Sequence, residues 1–448
     1  MSVLIALAVS IGLLAVVATW LFFGPLVAFN LSTQPDSQRD GAMTTLFKPA
    51  ADWELANIVA DAAARRMPLE IMSGGTKRNV GRPTQAAAQI SLRGMVGTML
   101  YEPNELVMSV RAGSAVAEVE AQLAQRRQML PFEPLDLGPL LGREAGQGTI
   151  GAVFATNLSG ARRLYSGAAR DHLLGVRAVT GHGEQVKAGG RVMKNVTGYD
   201  ISRGLAGSWG TLALVTEATF KVVPMPEATA TLVLFGLPDE IGVEVMCKAM
   251  GTPYEITGAV HLQQVLTSRL WQSQVRGTGK SATVMRLEAP AASIAYRAEK
   301  LRALFKAYGE MHVIDTAGSL EFWQEMRMLT VMHGSTQPLW RISTQPRLGP
   351  AVVAAIARYM PVEAVYDWSG GLIWLEVPTS ADAGATDIRR VIALHGGHAT
   401  LIRADAPVRA SVEVFQPLDP GVERLTRRLK ATFDPAGVLN PGRMYASM

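Results

Sequence analysis

A chain of 448 residues is longer than one hydrophobic core organises, so two or three folded units are expected. Hydrophobic residues at 48%, charged residues at 18% and a net charge of +5 describe an ordinary globular protein, and the arginine pairs at 126–127, 162–163 and 427–428 are too short and scattered for a nucleic-acid stripe. The single cysteine, Cys247, excludes an internal disulfide and a cysteine-ligated cluster.

From Val3 to Phe29 no charge occurs, and Asp36 is the first ionisable side chain. Such a run exceeds the roughly 20 residues that cross a hydrocarbon core. Trp20, Phe22, Phe23 and Phe29 gather towards one end, as an interfacial belt would. Residues 1–42 therefore read as a hydrophobic leader and linker. Either it is a transmembrane anchor, with Arg39 and Lys48 placing the rest of the chain on the cytoplasmic, inner face, or the natural start is Met43.

Residues 43–226 are expected to form the first unit. Asp52 can cap a helix running to about Arg66, with Trp53, Ala56, Val59 and Ala63 on one face and Pro68 beyond its end. "LEIM" is a short apolar strand that breaks into Ser73-Gly74-Gly75-Thr76, and "AAAQISL" and "LVMSVRAG" read as further strands. Ser114 can cap a helix through about Gln128, with Val116, Val119 and Leu123 on its apolar side. Glu118 and Glu120 would fall in its first turn and Arg126 and Arg127 in its last, as the helix dipole favours. This order of helix, three strands and helix is a mixed α/β unit, not a βαβ array. Residues 131–171 are glycine-rich and lack periodicity, which reads as a long functional loop. "GVRAVT", "GHGE" and "QVKAGG" make a hairpin. "GTLALVTEATFKVVP" then alternates, with Leu212, Leu214, Ala218, Phe220 and Val222 facing one way, and Pro224 and Pro226 close the unit.

Between 227 and 405, strands such as "TATLVLFGL" and "SATVMRLEA" alternate with helical runs near 293–308 and 319–332, so the second unit is expected to be α+β with an antiparallel sheet. Residues 406–448 hold a basic helix near 420–432 and the turn-rich "FDPAGVLNPGRMY". His395 and His398 form the one close histidine set, but two glycines between them argue against a metal site.

The break after "LEIM" is not the glycine turn of a nicotinamide-binding fold, because no helical period opens after Gly75. Two readings remain for it: a tight turn between strands, or an anion cradle. In the second, successive backbone N–H groups bind phosphate, Ser73 and Thr76 add hydroxyls, and Lys77 adds charge. "GTIGAVFATNLSG" favours the cradle. Thr149, Thr156, Asn157 and Ser159 place small donors among glycines, as a flat polar ring against backbone requires, and Arg170 and Asp171 come next, positioned to pair. One loop for a pyrophosphate and one for a ring is what a flavin dinucleotide needs.

These segments, with "YSGAARDHLLGVRAVTGHGE", "GGRVMKNVTGYD", "LWR" at 339–341 and the terminal "FDPAGVLNPGRMY", resemble the PCMH-type, vanillyl-alcohol-oxidase-like FAD-binding flavoproteins, and among them the FAD-binding E subunits of glycolate oxidases. The resemblance runs from about Met43 to the C-terminus. It implies an α+β chain: a two-lobed FAD-binding domain at 43–226, a cap domain with an antiparallel sheet at 227–405, and a C-terminal segment, 406–448, returning to the flavin. By motif it implies a phosphate loop of Ser73, Gly74, Gly75, Thr76 and Lys77. A second loop would comprise Thr149, Ile150, Gly151, Thr156, Asn157, Ser159 and Gly160, with Arg170 and Asp171 beyond it. Gly210, Thr211, Leu212 and Asn440 complete the expected flavin contacts. With no histidine or cysteine in either loop, FAD is expected to be non-covalent.

The same resemblance implies an oxidoreductase working as one subunit of a complex. Its partners would be a catalytic flavoprotein subunit and an iron–sulfur subunit, with glycolate oxidised to glyoxylate. Arg341 and Arg403 are the candidates for a substrate carboxylate, each with a structural salt bridge as the competing role. Tyr199 and Asp200 are candidates for the flavin's surroundings, Asp200 equally for pairing with Lys194 or Arg203. The catalytic D-type subunit's "GEHG" histidine motif has no counterpart here, and no general base is assigned. Two alternatives stay open: a self-sufficient dehydrogenase of a 2-hydroxy acid such as D-lactate, and a non-catalytic scaffold stabilised by FAD.

Overall fold

The computed structural model describes residues 45–191 and 198–448. The hydrophobic leader, Met43 and Lys194 lie outside them. No described helix is long and apolar enough to cross a membrane.

The first part of the chain has two lobes, each with its own core. In one, strands β1 (Thr45–Phe47), β2 (Leu69–Met72) and β3 (Ala88–Ser91) form a parallel sheet in the order β1-β3-β2. The helix Asp52–Ala64 lays Leu55, Val59 and Ala62 against it, and Leu69 and Ile90 fill the space beneath. Asp52 is not the cap. The helix begins after Ala51, and the Asp52 carboxylate pairs with Arg111 at 2.9 Å.

The other lobe is built on β4 (Thr98–Glu102), β5 (Val107–Arg111), β7 (Leu173–Thr180), β8 (Gln185–Gly189) and β9 (Ala213–Lys221), ordered β4-β5-β9-β7-β8 and antiparallel throughout. A two-stranded ribbon pairs β6 (Gln128–Met129) with β10 (Val223–Pro224). The helix expected from Ser114 is shorter than its apolar spacing suggested. It spans Val116–Ala124 after Ala115, the Ser114 hydroxyl accepts the Gly97 N–H instead, and Arg126 and Arg127 fall beyond its end. Arg127 adopts a left-handed φ of 52°, which turns the chain into β6 and removes both arginines from the helix dipole.

The glycine-rich stretch 131–171 is also not a loop throughout. Residues Ile150–Thr156 form a helix whose Ile150, Val153 and Phe154 are buried on β9, with short turns of helix at Arg163–Ser166 and Ala169–His172. The three apolar residues already carry helical spacing, which the surrounding glycines obscured.

The second part is one antiparallel sheet of eight strands: β11 (Ala228–Phe235), β12 (Gly258–Leu262), β13 (Ala282–Ala289), β14 (Met311–Ile314), β15 (Leu339–Ser343), β16 (Glu363–Asp367), β17 (Leu372–Glu376) and β18 (His398–Arg403). Their order is β14-β11-β13-β12-β16-β17-β15-β18. Helices Asp239–Met250, Ala291–Phe305, Thr316–Met328, Gly349–Ala357 and Ala385–His395 pack on it through Val245, Leu301, Phe322, Val352 and Ile388. The chain thus folds as α+β, a two-lobed unit succeeded by a unit with a large antiparallel sheet.

The last residues return to the first lobe. After the helix Pro420–Phe433, Leu439 forms a parallel bridge with Leu69, and Val438 and Leu439 join that lobe's core. Asp434 organises the return. Its carboxylate receives the N–H groups of Val438 at 3.1 Å and Leu439 at 2.8 Å, and the Lys430 ammonium at 2.6 Å.

Candidate functional site

A cleft with about 760 Å³ of empty space, part of it open to solvent, lies between the two lobes. One wall is the turn leaving β2. Gly74 sits so close to the segment before the Ile150–Thr156 helix that a Cβ there would stand 1.7 Å from the Gln147 carbonyl oxygen. Gly75 adopts φ +72°, a conformation that costs other residues about 1 kcal/mol or more. Arg93 holds the outside of the turn, donating to the Ser73 carbonyl at 3.2 Å and to the Gln147 side chain at 2.7 Å. Its Nη2 also reaches the Gly74 carbonyl at 3.5 Å. In a trans peptide the carbonyl and the next N–H point in opposite directions, so the Gly74 and Gly75 N–H groups are aimed away from Arg93.

None of the N–H groups from Gly74 to Lys77 donates to an acceptor among the described residues. The Ser73 hydroxyl and the hydroxyl of Thr149, which lies beside Gly74, are buried without partners. Lys77 is buried, and that burial pushes its ammonium down to about 8, opposed by the charge of Asp136 and reinforced by Arg327. A run of free N–H groups, two orphan hydroxyls and a desolvated cation form a site for a phosphorylated group, so the residues present fit a dinucleotide's pyrophosphate.

The remaining expected residues divide in two. Gly151 and Thr156 on the second lobe, and Gly210 and Asn440, line the cleft with the turn. Ile150 and Leu212 are buried in the core of the second lobe. Thr211 ties the cleft's floor to the C-terminal helix, its carbonyl accepting from the Lys430 ammonium at 2.7 Å. Asn157, Ser159 and Asp171 brace the backbone, accepting the N–H groups of Arg170, Ala169 and Ala168. Gly160 packs on Glu133 at the seam between the two units. Arg170 is exposed and does not pair with Asp171, because consecutive helical residues point apart.

Asn440 has two partners in the cleft wall. Its Oδ1 accepts the Ile71 N–H at 2.8 Å and its Nδ2 donates to the Trp209 carbonyl at 2.9 Å, so one side chain joins β2, the turn at 209 and the C-terminus. The sequence reading missed Arg93, Trp209 and Arg443. Arg443 donates to the Lys77 carbonyl at 2.9 Å, stands 5.6 Å from the Trp209 ring centre and lines the cleft with its Nε unpartnered. It lies in the quoted "NPGRMY", so the motif carried the signal. Trp209 stands directly before the expected Gly210–Leu212 turn, whereas nothing local marked Arg93.

Of the two substrate candidates, Arg403 is held by structural partners: the carbonyls of Gln337 and Met332 and the carboxylate of Glu376. Arg341 has no ion-pair partner among the described residues and lies beneath Trp368 and Trp374. Neither lines the cleft. Tyr199 is exposed, and Asp200 caps the short helix Ile201–Leu205 and pairs with Arg203. His395 turns its Nδ1 to the Val391 carbonyl, and no cluster of three or more metal-ligating side chains occurs among the described residues.

Residues 44–189 match a family model described as an FAD binding domain. Over 395 residues the chain is 34% identical to the glycolate oxidase subunit GlcE of Escherichia coli (strain K12), spanning 87% of this chain and 96% of that protein. The chain belongs to the GlcE family. It is thereby an FAD-linked oxidoreductase of the 2-hydroxy acid dehydrogenase class. This GlcE-family chain is also 23% identical over 422 residues to the glycolate oxidase subunit GlcD of Bacillus subtilis (strain 168), spanning 88% of the chain and 87% of that protein. Its fold matches the solved 4-ethylphenol oxidase of Gulosibacter chungangensis with a TM-score of 0.67 at 14% identity, over 92% and 91% of the two chains.

Proposed function

We propose that the chain is the FAD-binding subunit of a glycolate-oxidising complex, in which it works with a catalytic GlcD-like flavoprotein subunit, glycolate becomes glyoxylate, and electrons pass on through flavin and an iron–sulfur subunit. The observation that carries this reading is the row of N–H groups from Gly74 to Lys77, without protein acceptors at the cleft wall. They and the Lys77 ammonium hold the pyrophosphate, with hydroxyl bonds from Ser73 and Thr149. Gly151, Thr156, Gly210 and Asn440 would supply a wall with little bulk for the cofactor, with Arg443 beside Trp209 at its edge. FAD bound there would supply a carrier that takes up electrons and passes them on.

No histidine, cysteine or tyrosine among the described residues lines the cleft, which favours non-covalent attachment; denaturation should release the yellow chromophore. Among the described residues the ionisable side chains of the lining are Lys77, Arg78 and Arg443. Lys77 is committed in its charged form to the pyrophosphate, and the two arginines stay protonated, which favours electron relay in a complex over independent catalysis. Association with the inner face of a membrane belongs to the same reading and rests on the apolar leader.

Anaerobic mixing of the FAD-loaded subunit with glycolate or D-lactate tests this. Bleaching of the flavin absorbance only after the partner subunits are added is expected. Bleaching by the lone chain would make it a self-sufficient dehydrogenase. A flavin that stays oxidised in the working complex would make it a scaffold.

A further inference from the structure

The Pro420–Phe433 helix carries its amphipathicity in the reverse sense. Lys430 is its only buried residue, bonded inwards to Asp434 and to the Thr211 and Leu439 carbonyls. Val422, Leu425 and Leu429 follow one another at the three- and four-residue spacing that makes a single stripe, and they are 49%, 63% and 41% exposed. No other described helix exposes three large apolar side chains. Arg424 and Arg428 form a ridge along the stripe, each directly before one of its leucines. Neither side chain has an ion pair or a hydrogen bond with a described residue. The acidic groups near them are engaged: Glu423 by Arg427 at 2.6 Å, and the capping Asp419 by the Gly421 N–H at 2.8 Å.

Such a stripe is out of place in water and at home in a membrane interface. The apolar leader is a poor cover for it, because a segment whose first acidic side chain is Asp36 leaves both arginines without counter-charge. A protein partner is a poor cover too, since three aliphatic side chains offer well under the roughly 800 Å² that each side of a stable contact buries. A headgroup layer asks for no more than this stripe, and anionic lipids supply the missing charges. Chain geometry agrees. Leu439, shortly after the helix ends, sits beside β2 at one edge of the β1-β3-β2 sheet, and β1 lies three strand spacings away, about 14 Å. The roughly 15 residues between Phe29 and Thr45 span up to about 50 Å, so a leader in a membrane keeps this helix within reach of the same surface.

We propose that the Pro420–Phe433 helix is a membrane-surface contact. Val422, Leu425 and Leu429 enter the headgroup layer of an anionic bilayer, and Arg424 and Arg428 pair with its phosphates. The choice of a bilayer rests on the membrane association in the proposed function; the stripe and its two arginines do not.

The test uses the FAD-loaded full chain with Cys247→Ala and one new cysteine carrying a nitrobenzoxadiazole dye. It is reconstituted in vesicles of phosphatidylglycerol and phosphatidylcholine that contain nitroxide lipids as quenchers. Dye at Leu425→Cys or Leu429→Cys is expected to shift to the blue and be quenched, and dye at Ala431→Cys, on the polar side of the helix, to stay in water. Arg424→Gln combined with Arg428→Gln should lower the ratio of lipid-buried to aqueous dye about tenfold or more, as should vesicles of phosphatidylcholine alone. Unquenched dye at both leucine positions on a chain that remains vesicle-bound overturns the contact and leaves membrane association standing. A chain that does not bind the vesicles at all overturns both. Dye that shifts only without lipid, on adding partner subunits or on raising the chain's own concentration, assigns the stripe to a protein and overturns the contact as well. Where Cys247→Ala does not retain FAD, tryptic cleavage after Arg424 and Arg428 of the natural chain replaces the dye. It should slow when anionic vesicles are added, and an unchanged rate would overturn the contact. If the dye enters lipid while glycolate never reduces the flavin, even with partner subunits, the contact stands and the glycolate reading falls.

Discussion

At Gly74 one carbon atom separates a working turn from a blocked one. A Cβ there meets the Gln147 carbonyl, a backbone atom that cannot swing aside. Gly74→Val is expected to weaken FAD binding by about a hundredfold, since overpacking costs roughly 1–3 kcal/mol and each 1.4 kcal/mol is tenfold. Purification of the variant with its full yellow colour would refute this. Three residues along, Lys77 makes the same interaction depend on pH. In the free protein its ammonium gives up a proton near pH 8, whereas a pyrophosphate favours the charged form. Binding above that pH therefore takes up a proton, so affinity should be flat below about pH 8 and fall by up to about tenfold per unit above it. Fluorescence titration of FAD across this range should show the decline in the natural chain and not in Lys77→Met. These five residues, 73–77, were legible in the sequence because a turn states its chemistry in adjacent letters. Arg93 was not, because its role depends on which distant backbone it meets.

At the level of elements, the Pro420–Phe433 helix and the strand-like return after it act as a hook. The Lys430 ammonium joins the Asp434 carboxylate, the Thr211 carbonyl and the Leu439 carbonyl, with the Asp434 side chain fully buried. Lys430→Met leaves that carboxylate without its cation and should cost about 3–5 kcal/mol. Urea unfolding should register the loss, and a midpoint equal to that of the natural chain would show the hook to be dispensable. Apolar alternation found β9 readily, since its second half alternates between buried and half-buried positions. It misjudged the end of the Val116–Ala124 helix, where Arg127's left-handed φ, not any change in hydrophobic pattern, turns the chain. The Ile150–Thr156 helix was hidden for the opposite reason: Ile150, Val153 and Phe154 are helical in spacing, but the glycines around them read as loop.

For the molecule as a whole, the two units are joined by a buried charge network. Glu133 and Arg162 of the first unit meet Arg286 and Glu288 of the second, with the Arg286 Nη1 2.6 Å from the Glu133 carboxylate. Burial alone would raise the Glu133 carboxyl, but Arg286 and Arg162 overcome it and hold it at about 2, against an ordinary 4.5. A depressed carboxyl stabilises fully above its unfolded value, and the contribution fades as pH falls from about 4.5 towards 2. The stability gap between the natural chain and Glu133→Gln should therefore close across that window in urea melts; a gap that stays constant would mean the network is not what joins the units. The division into two units was legible from the change in strand texture near 227. The network was not, since Glu133 and Arg286 are 153 residues apart and neither stands in a motif. Distance along the chain matters once more at the cleft. The Ile71 N–H and the Asn440 side chain that receives it are separated by 369 residues. During synthesis the turn after β2 leaves the ribosome long before its last wall exists. Cofactor loading is therefore an event of the completed chain, and a translation stop ahead of Val438 would leave the first lobe without part of its core and the cleft without its last wall.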